Sequence, residues 1–226
     1  MTNVIMLCHN RLRLLQQALR TLYDNTPREE FTLTLVNDAS TDFRVNRALE
    51  DWAQAGNATL LTINKSAHVL ARGKNLGAFW SEQSFGRGEW LMLCDNDIAF
   101  FPGWLDRMLN VFKQMPTIPY IVGGNQHPYH KTNKDWEIFH ETDAVAGYSM
   151  FMNWTTWDSF GPFPRTGAPG VGQSEDFQLS RLIVDKGGTV GYVHPPVLAH
   201  CGITNTDGKP AVGAAEFVRV PGVLYE

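Results

Sequence analysis

Hydrophobic and polar positions in the first half of the chain alternate between two patterns. Short, nearly unbroken apolar runs occupy Asn3–Leu7, Phe31–Val36 and Thr59–Ile63, and a fourth follows Glu89 and stops at Asp95-Asn96-Asp97. A run of that length with no polar face fits a strand covered on both sides. Between the runs, apolar residues recur at helical spacing. Leu12, Leu15, Leu19 and Leu22 form one stripe within Arg11–Asn25, with Asn10 placed to cap its start and Pro27 beyond its end. Val45, Leu49 and Trp52 form a second, with Ser40 or Thr41 as cap and Gly56 as stop. A third helix is expected over Lys74–Phe85. A fourth follows Pro102, with Trp104, Leu105, Met108, Leu109 and Phe112 on one side. Strand and helix in alternation predict an α/β domain with a single, mostly parallel central sheet and helices on both faces.

The second half is less regular. Strands are expected at Tyr120–Gly124, Asp143–Met152 and Thr189–Val193, and a short helix at Trp154–Phe160. Gln126–Lys134 is polar and His-rich, as an exposed loop would be, and Pro162–Gly172 holds too much Pro and Gly for regular structure. Ser174–Lys186 has a capping Ser174, an acidic first turn in Glu175 and Asp176, and an apolar side of Phe177, Leu179, Leu182 and Ile183. Neither a repeat nor a linker divides the chain, so residues 1–226 are expected to form one domain.

Charge and composition narrow the function. The formal net charge of −4 gives no basic footprint for nucleic acid or an anionic membrane. No apolar run approaches the length of a bilayer span, and Met1–Leu7 lacks the layout of a signal peptide. Cys8, Cys94 and Cys201 are odd in number and widely spaced, which favours reduced thiols and a cytoplasmic protein, with any membrane association made through partners.

The chemistry gathers at strand ends. Asp95-Asn96-Asp97 places two carboxylates one residue apart at the C-terminal tip of a strand, where open α/β sheets bind ligands. Such a pair suits Mg²⁺ or Mn²⁺ beside a substrate phosphate, and the same residue types also make an Asx turn. Asp38 ends another strand of the same sheet, so both acidic tips are expected on one rim. The loop expected over 68–77 brings Arg72 and Lys74 there too, next to a helix N-terminus that favours anions; for either residue taken alone, solvated surface charge is the favoured reading. Cation, basic loop and carboxylate on one edge suggest a nucleoside diphosphate.

The order of these residues resembles the family 2 glycosyltransferases, inverting enzymes of the GT-A fold. Asn3-Val4-Ile5-Met6-Leu7-Cys8-His9-Asn10-Arg11 looks like that family's opening strand, and Leu35-Val36-Asn37-Asp38-Ala39-Ser40-Thr41-Asp42 is similar to its Val-Asp-Asp-Gly-Ser-Thr-Asp signature. Ala71–Gly77, Leu93–Asp97, Gly147–Met152, Phe160–Phe163 and Ser174–Asp176 follow in the family's order. The resemblance covers about the first 200 residues. It implies a Rossmann-like nucleotide-sugar-binding half over 1–115 and a less regular acceptor-binding half over 116–226. Leu7, Asn10, Arg11, Asp38, Arg72, Lys74, Asp95 and Asn96 would contact a UDP-, GDP- or dTDP-type donor, with Asp38 on the base. Asp97, Asp95 and His200 would hold Mn²⁺ or Mg²⁺, His200 ahead of His194. Asp176, with Glu175, would supply the general base. Trp136, Trp154 and Gly147 would face a glycan or other hydroxyl acceptor. Asn37 stands where the family's first Asp is usual, Leu7 replaces a frequent Pro or Thr, and Phe177-Gln178-Leu179 departs from the usual ending. In an inverting transfer the base takes the acceptor's proton on the face opposite the leaving diphosphate, so it must come from a separate element. Two other readings stand beside this one: an inactive nucleotide-sugar or glycan-binding module of the same fold, and a nucleotidyltransferase. The second is disfavoured because Cys8–Arg11 is no Gly-rich loop.

Overall fold

The computed structural model describes residues 1–64, 70–115, 120–124, 132–163, 175–202 and 223–224. In the first half the expected alternation is present: β1 (Thr2–Cys8), α1 (Leu12–Asp24), β2 (Phe31–Asp38), α2 (Phe43–Gln54), β3 (Thr59–Ile63), α3 (Leu70–Phe85) and β4 (Trp90–Asp95). Then come β5 (Ile98–Phe100), α4 (Trp104–Gln114), β6 (Ile121–Gly123), β7 (Thr132–Asp135), β8 (Phe139–Thr142), β9 (Ser149–Asn153), α5 (Trp154–Phe160), α6 (Glu175–Asp185), β10 (Val190–Val193) and β11 (Leu198–His200).

The main sheet runs β3-β2-β1-β4-β9-β6-β10-β8-β7, and β5 pairs with β11 beside it. The β3-β2-β1-β4 half is parallel; β9 and β8 run against their neighbours. Alternation along β1 explains the two-sided core. Val4, Met6 and Cys8 pack with α1, α2 and α4, whereas Ile5 and Leu7 pack with α3, α5 and α6. Helix α3 lies especially close to the sheet. A Cβ on Gly77 would come within 2.5 Å of Ile5 Cγ2 and 2.7 Å of Val36 Cγ2.

Several local expectations are corrected. Asn10 does not cap α1. Its Oδ1 accepts from the Thr41 and Asp42 amides (2.9 and 3.0 Å), while Arg11, in the left-handed region, stands at the cap position. Asp42, rather than Ser40 or Thr41, caps α2 by accepting from Arg44 N at 3.0 Å. Helix α3 begins at Leu70, ahead of the expected start at Lys74, so Arg72 is helical and not in a loop; packing against the sheet outweighs the helix-breaking tendency of Gly73. The end of the loop expected over Gln126–Lys134 lies in an exposed edge strand, Thr132–Asp135, and the strand expected over 143–152 spans only Ser149–Asn153. The Ser174 cap and most of Pro162–Gly172 lie outside the described residues. No helix among the described residues is long and apolar enough to cross a membrane.

Candidate active site

The parallel strands β1, β2 and β4 end on one rim, and the Asp95–Asp97 segment turns there from β4 into β5. Backbone and side chain pin this turn from several directions. Asn96 N donates to Leu7 O (3.0 Å), Asn96 Nδ2 donates to Asn10 O (3.0 Å), and Cys201 N donates to Asp97 O (2.7 Å). Asn96 therefore anchors the Asn10–Arg11 corner, where both residues have positive φ (53° and 57°). Strain of this kind persists only where the surroundings over-determine it.

That corner aims Arg11 Nη1 at Asp97 Oδ2, in direct contact. The other oxygen, Asp97 Oδ1, is buried and makes no hydrogen bond among the described residues. It faces His200 Nε2 at 3.5 Å. The Tyr148 ring stacks on His200, centroids 4.4 Å apart and 16° from parallel. Burial pushes the Asp97 carboxyl up, but the His200 imidazole and the Arg11 guanidinium hold it below the ordinary carboxylate value. At Asp95 burial wins over the pull of Lys74, and the like charge of Asp97 adds to the rise. Burial lowers His200, yet the Asp97 charge more than compensates, so its pKa is raised. Burial, with Asp97 and Asp176 nearby, lifts the Tyr148 phenol far above its usual range.

Lys74 is fully buried. Its Nζ lies 3.0 Å from Asp95 Oδ1 and donates to Gly147 O at 2.5 Å. Gly147 N in turn donates to Asp176 Oδ2 at 2.6 Å. Asp176 sits in the first turn of α6, held also by Phe177 N on Oδ1 (2.8 Å). Asp95, Asp97, Lys74, Arg11, His200, Gly147 and Asp176 thus come together around one corner. Among the described residues no three His, Cys, Asp or Glu side chains are already arranged as a metal cage; the Arg11 guanidinium stands against Asp97 instead.

Asp38 ends β2 and is nearly buried, with His9 Nδ1 donating to its carbonyl at 2.8 Å. Beside it opens a cleft of about 560 Å³, lined in part by Asn37, Ser40, Thr41, Thr62 and Asn64. Asn37 Oδ1 accepts from Ser40 N there at 3.0 Å, pinning the start of the 38–42 segment. Arg72 is exposed on α3. Leu7 contributes its carbonyl to the Asp95–Asp97 turn while its side chain is core, packed where a Cβ on Gly73 would meet it. Glu175 begins α6; its side chain lies outside the described residues.

Two aromatic expectations are not brought to this corner. Because β9 runs antiparallel to β4, its last residue pairs with Trp90 at the start of β4. Trp154, which follows, is therefore at the far end of the sheet. It is buried there, with Nε1 donating to Asn3 Oδ1 (3.0 Å) and Arg87 over its ring (4.8 Å). Trp136 is exposed on the β7–β8 turn at the outermost edge. His194 stacks on His140, centroids 4.2 Å apart. Two residues at the corner lacked a functional reading in the sequence. One is Tyr148. The other is Gly202, where a Cβ would come within 2.2 Å of Asp97 Oδ2; a glycine two residues after a late His was the available signal.

A family model described as glycosyl transferase family 2 matches residues 3–164. The chain belongs to glycosyl transferase family 2. Solved structures of low identity share the GT-A fold of this family 2 chain. One is GalNAc-T7 with UDP, GalNAc and Mn²⁺ (TM-score 0.65, 17% identity, 88% of this chain and 43% of that one). A second is Staphylococcus aureus TarS 1–349 (0.63, 12%, 87% and 59%). A third is the mannosyltransferase PcManGT from Pyrobaculum calidifontis with GDP-Man and Mn²⁺ (0.59, 19%, 84% and 56%). The family 2 chain thus spans 43% to 59% of these structures' own length. No curated protein sequence matches it.

Proposed function

We propose that this chain is an inverting, metal-dependent glycosyltransferase that moves a sugar from a nucleotide-diphosphate donor to a hydroxyl of a glycan or other acceptor. The observation that carries the reading is the chain of contacts Asp95–Lys74–Gly147–Asp176, which sets a carboxylate on α6 across from the acidic turn on β4. The donor set fits a hard divalent cation: Asp97 offers a buried oxygen with no hydrogen bond among the described residues, beside a second carboxylate and an imidazole. Asp97 and Asp95, with His200, would hold Mn²⁺ or Mg²⁺, which when bound supplies positive charge against the leaving diphosphate. Structures of similar fold hold UDP or GDP-Man with Mn²⁺, which agrees with a nucleotide-sugar donor here.

The remaining chemistry belongs to the chain's own groups. Asp176 takes the acceptor hydroxyl's proton as the oxygen attacks the anomeric carbon. The Gly147 N–H holds one carboxylate oxygen of Asp176, which fixes the direction of the other. The cleft beside Asp38 is large enough for a nucleobase.

Slow hydrolysis of UDP-, GDP- and dTDP-sugars with Mn²⁺, followed by proton NMR, tests this without a known acceptor. An α-linked donor should release the β-sugar first, and Asp176→Asn should keep nucleotide binding while losing release. Early α-sugar would overturn inversion, and wild-type release by Asp176→Asn would remove the base assignment. Binding without any turnover would favour the non-catalytic module.

A further inference from the structure

Lys74 buries a charge completely on the sheet-facing side of α3, where an apolar residue would pack at lower cost. One ion pair with Asp95 could account for a structural lysine. The second contact goes further, because Gly147 faces two ways. Its carbonyl accepts from Lys74 Nζ, and its N–H donates to Asp176 Oδ2. A Cβ on Gly147 would lie 3.2 Å from both Lys74 Nζ and Asp176 Oδ2, so the residue is sandwiched between the two side chains. The preceding amides bind on the same side: Val145 N donates to Ser180 Oγ (3.1 Å) and Ala146 N to the Tyr192 hydroxyl (2.7 Å). Three successive N–H groups thus fasten the 145–147 loop to α6 and β10, while Lys74 fastens the same loop to the Asp95 corner.

We propose that Lys74 and Gly147 are positioning residues that set where the Asp176 carboxylate stands relative to the donor corner. This rests on the base role proposed for Asp176. Lys74 holds the Gly147 peptide, and the Gly147 peptide holds Asp176. The pair acts on the rate of proton transfer rather than on donor affinity. Gly147→Ala presses on both arms at once, since its Cβ would stand 3.2 Å from Lys74 Nζ and from Asp176 Oδ2 and each must give by a few tenths of an ångström.

The test combines a ligand-free signal with kinetics. In the amide spectrum of metal-free wild type, a Gly147 N–H donating to a carboxylate at 2.6 Å should resonate far downfield. Lys74→Met should move that resonance upfield while the Val145 and Ala146 amides stay in place. Hydrolysis of UDP-GlcNAc and GDP-mannose with Mn²⁺ then reads the consequence. Gly147→Ala should lower kcat by roughly 3- to 10-fold, less than the ~100-fold that a misplacement of about 1 Å costs, with the donor KM unchanged. Should Lys74→Met fail to fold, Lys74→Arg, which keeps a donor for the Gly147 carbonyl, must retain the downfield amide and wild-type kcat, and a folded Lys74→Arg that keeps the amide but loses kcat overturns the proposal. An unmoved Gly147 amide in Lys74→Met, or a Gly147→Ala variant whose loss is entirely in KM, overturns the proposal. Failure of the base reading is distinguishable: Asp176→Asn would then turn over like wild type, whatever the Gly147 amide does.

Discussion

Replacing Arg11 by Met asks whether the Asp97 corner is built to receive a cation. Met keeps a Cβ and an unbranched stem, so the left-handed backbone at position 11 is burdened equally in both proteins. What changes is charge. The Arg11 and Asp97 side chains are only 20% and 10% exposed. Removing one partner of a buried pair costs roughly 3–5 kcal/mol, because the other charge is left uncompensated. Solvent reaches Arg11, and His200 lies 3.5 Å from the other Asp97 oxygen, so the lower figure is further reduced. The expectation for metal-free protein is about 2 kcal/mol, or a melting temperature lower by about 4–8 °C in EDTA. A divalent cation replaces the missing positive charge, and in the variant it displaces no guanidinium. Mn²⁺ should therefore bind Arg11→Met more tightly than wild type, roughly tenfold, and raise its melting temperature more. Thermal unfolding across a MnCl₂ series, with calorimetric titration of Mn²⁺ alone, measures both. Equal Mn²⁺-induced shifts in the two proteins, or weaker Mn²⁺ binding by the variant, would mean that Mn²⁺ does not bind in place of the Arg11 charge.

Other consequences are as concrete. Gly77→Ala drives a Cβ into Ile5 and Val36 at the closest approach of α3 to the sheet, and should cost about 1–3 kcal/mol in urea denaturation. Trp154→Phe removes the bond to Asn3 Oδ1, which still accepts from Gly88 N at 2.6 Å. It should cost only about 1 kcal/mol and leave donor binding untouched; a changed donor affinity would bring Trp154 back to the site. Burial pushes the Cys201 thiol up to about 12 and the Cys8 thiol higher still. Native protein at pH 8 should therefore resist iodoacetamide at both, with labelling appearing only on unfolding.

The first half was legible because each strand and helix there is specified by its own residues. The Leu12–Leu22 stripe and the β4 run declare themselves without reference to a partner. The short strands β8 and β11 do not, since Phe139–Thr142 and Leu198–His200 become strands only by pairing with β10 and β5. The place of Trp154 was not legible for a related reason. Periodicity marks a strand but carries no direction, and the antiparallel course of β9 moves its C-terminal end away from the rim. At the candidate site, Asp95, Asp97, His200 and Asp176 stand out in the sequence by type and order, and the structure brings them to one corner. Lys74 was legible only as a charge, because a lysine's burial depends on what the rest of the fold brings to it, here Asp95 and the Gly147 carbonyl. Asn10 looked like a helix cap since its type suits one; two amides of the 41–42 segment, thirty residues away, compete for the same oxygen and win.

Calorimetric titration of UDP-, GDP- and dTDP-sugars into wild type and Asp97→Ala, each with Mn²⁺ and with EDTA, bears most directly on the claim that this corner holds a metal-bound donor. Wild type should bind at least one of them only when Mn²⁺ is present, and Asp97→Ala should bind none. Donor binding that is equally strong in EDTA, or that survives intact in Asp97→Ala, would contradict that claim.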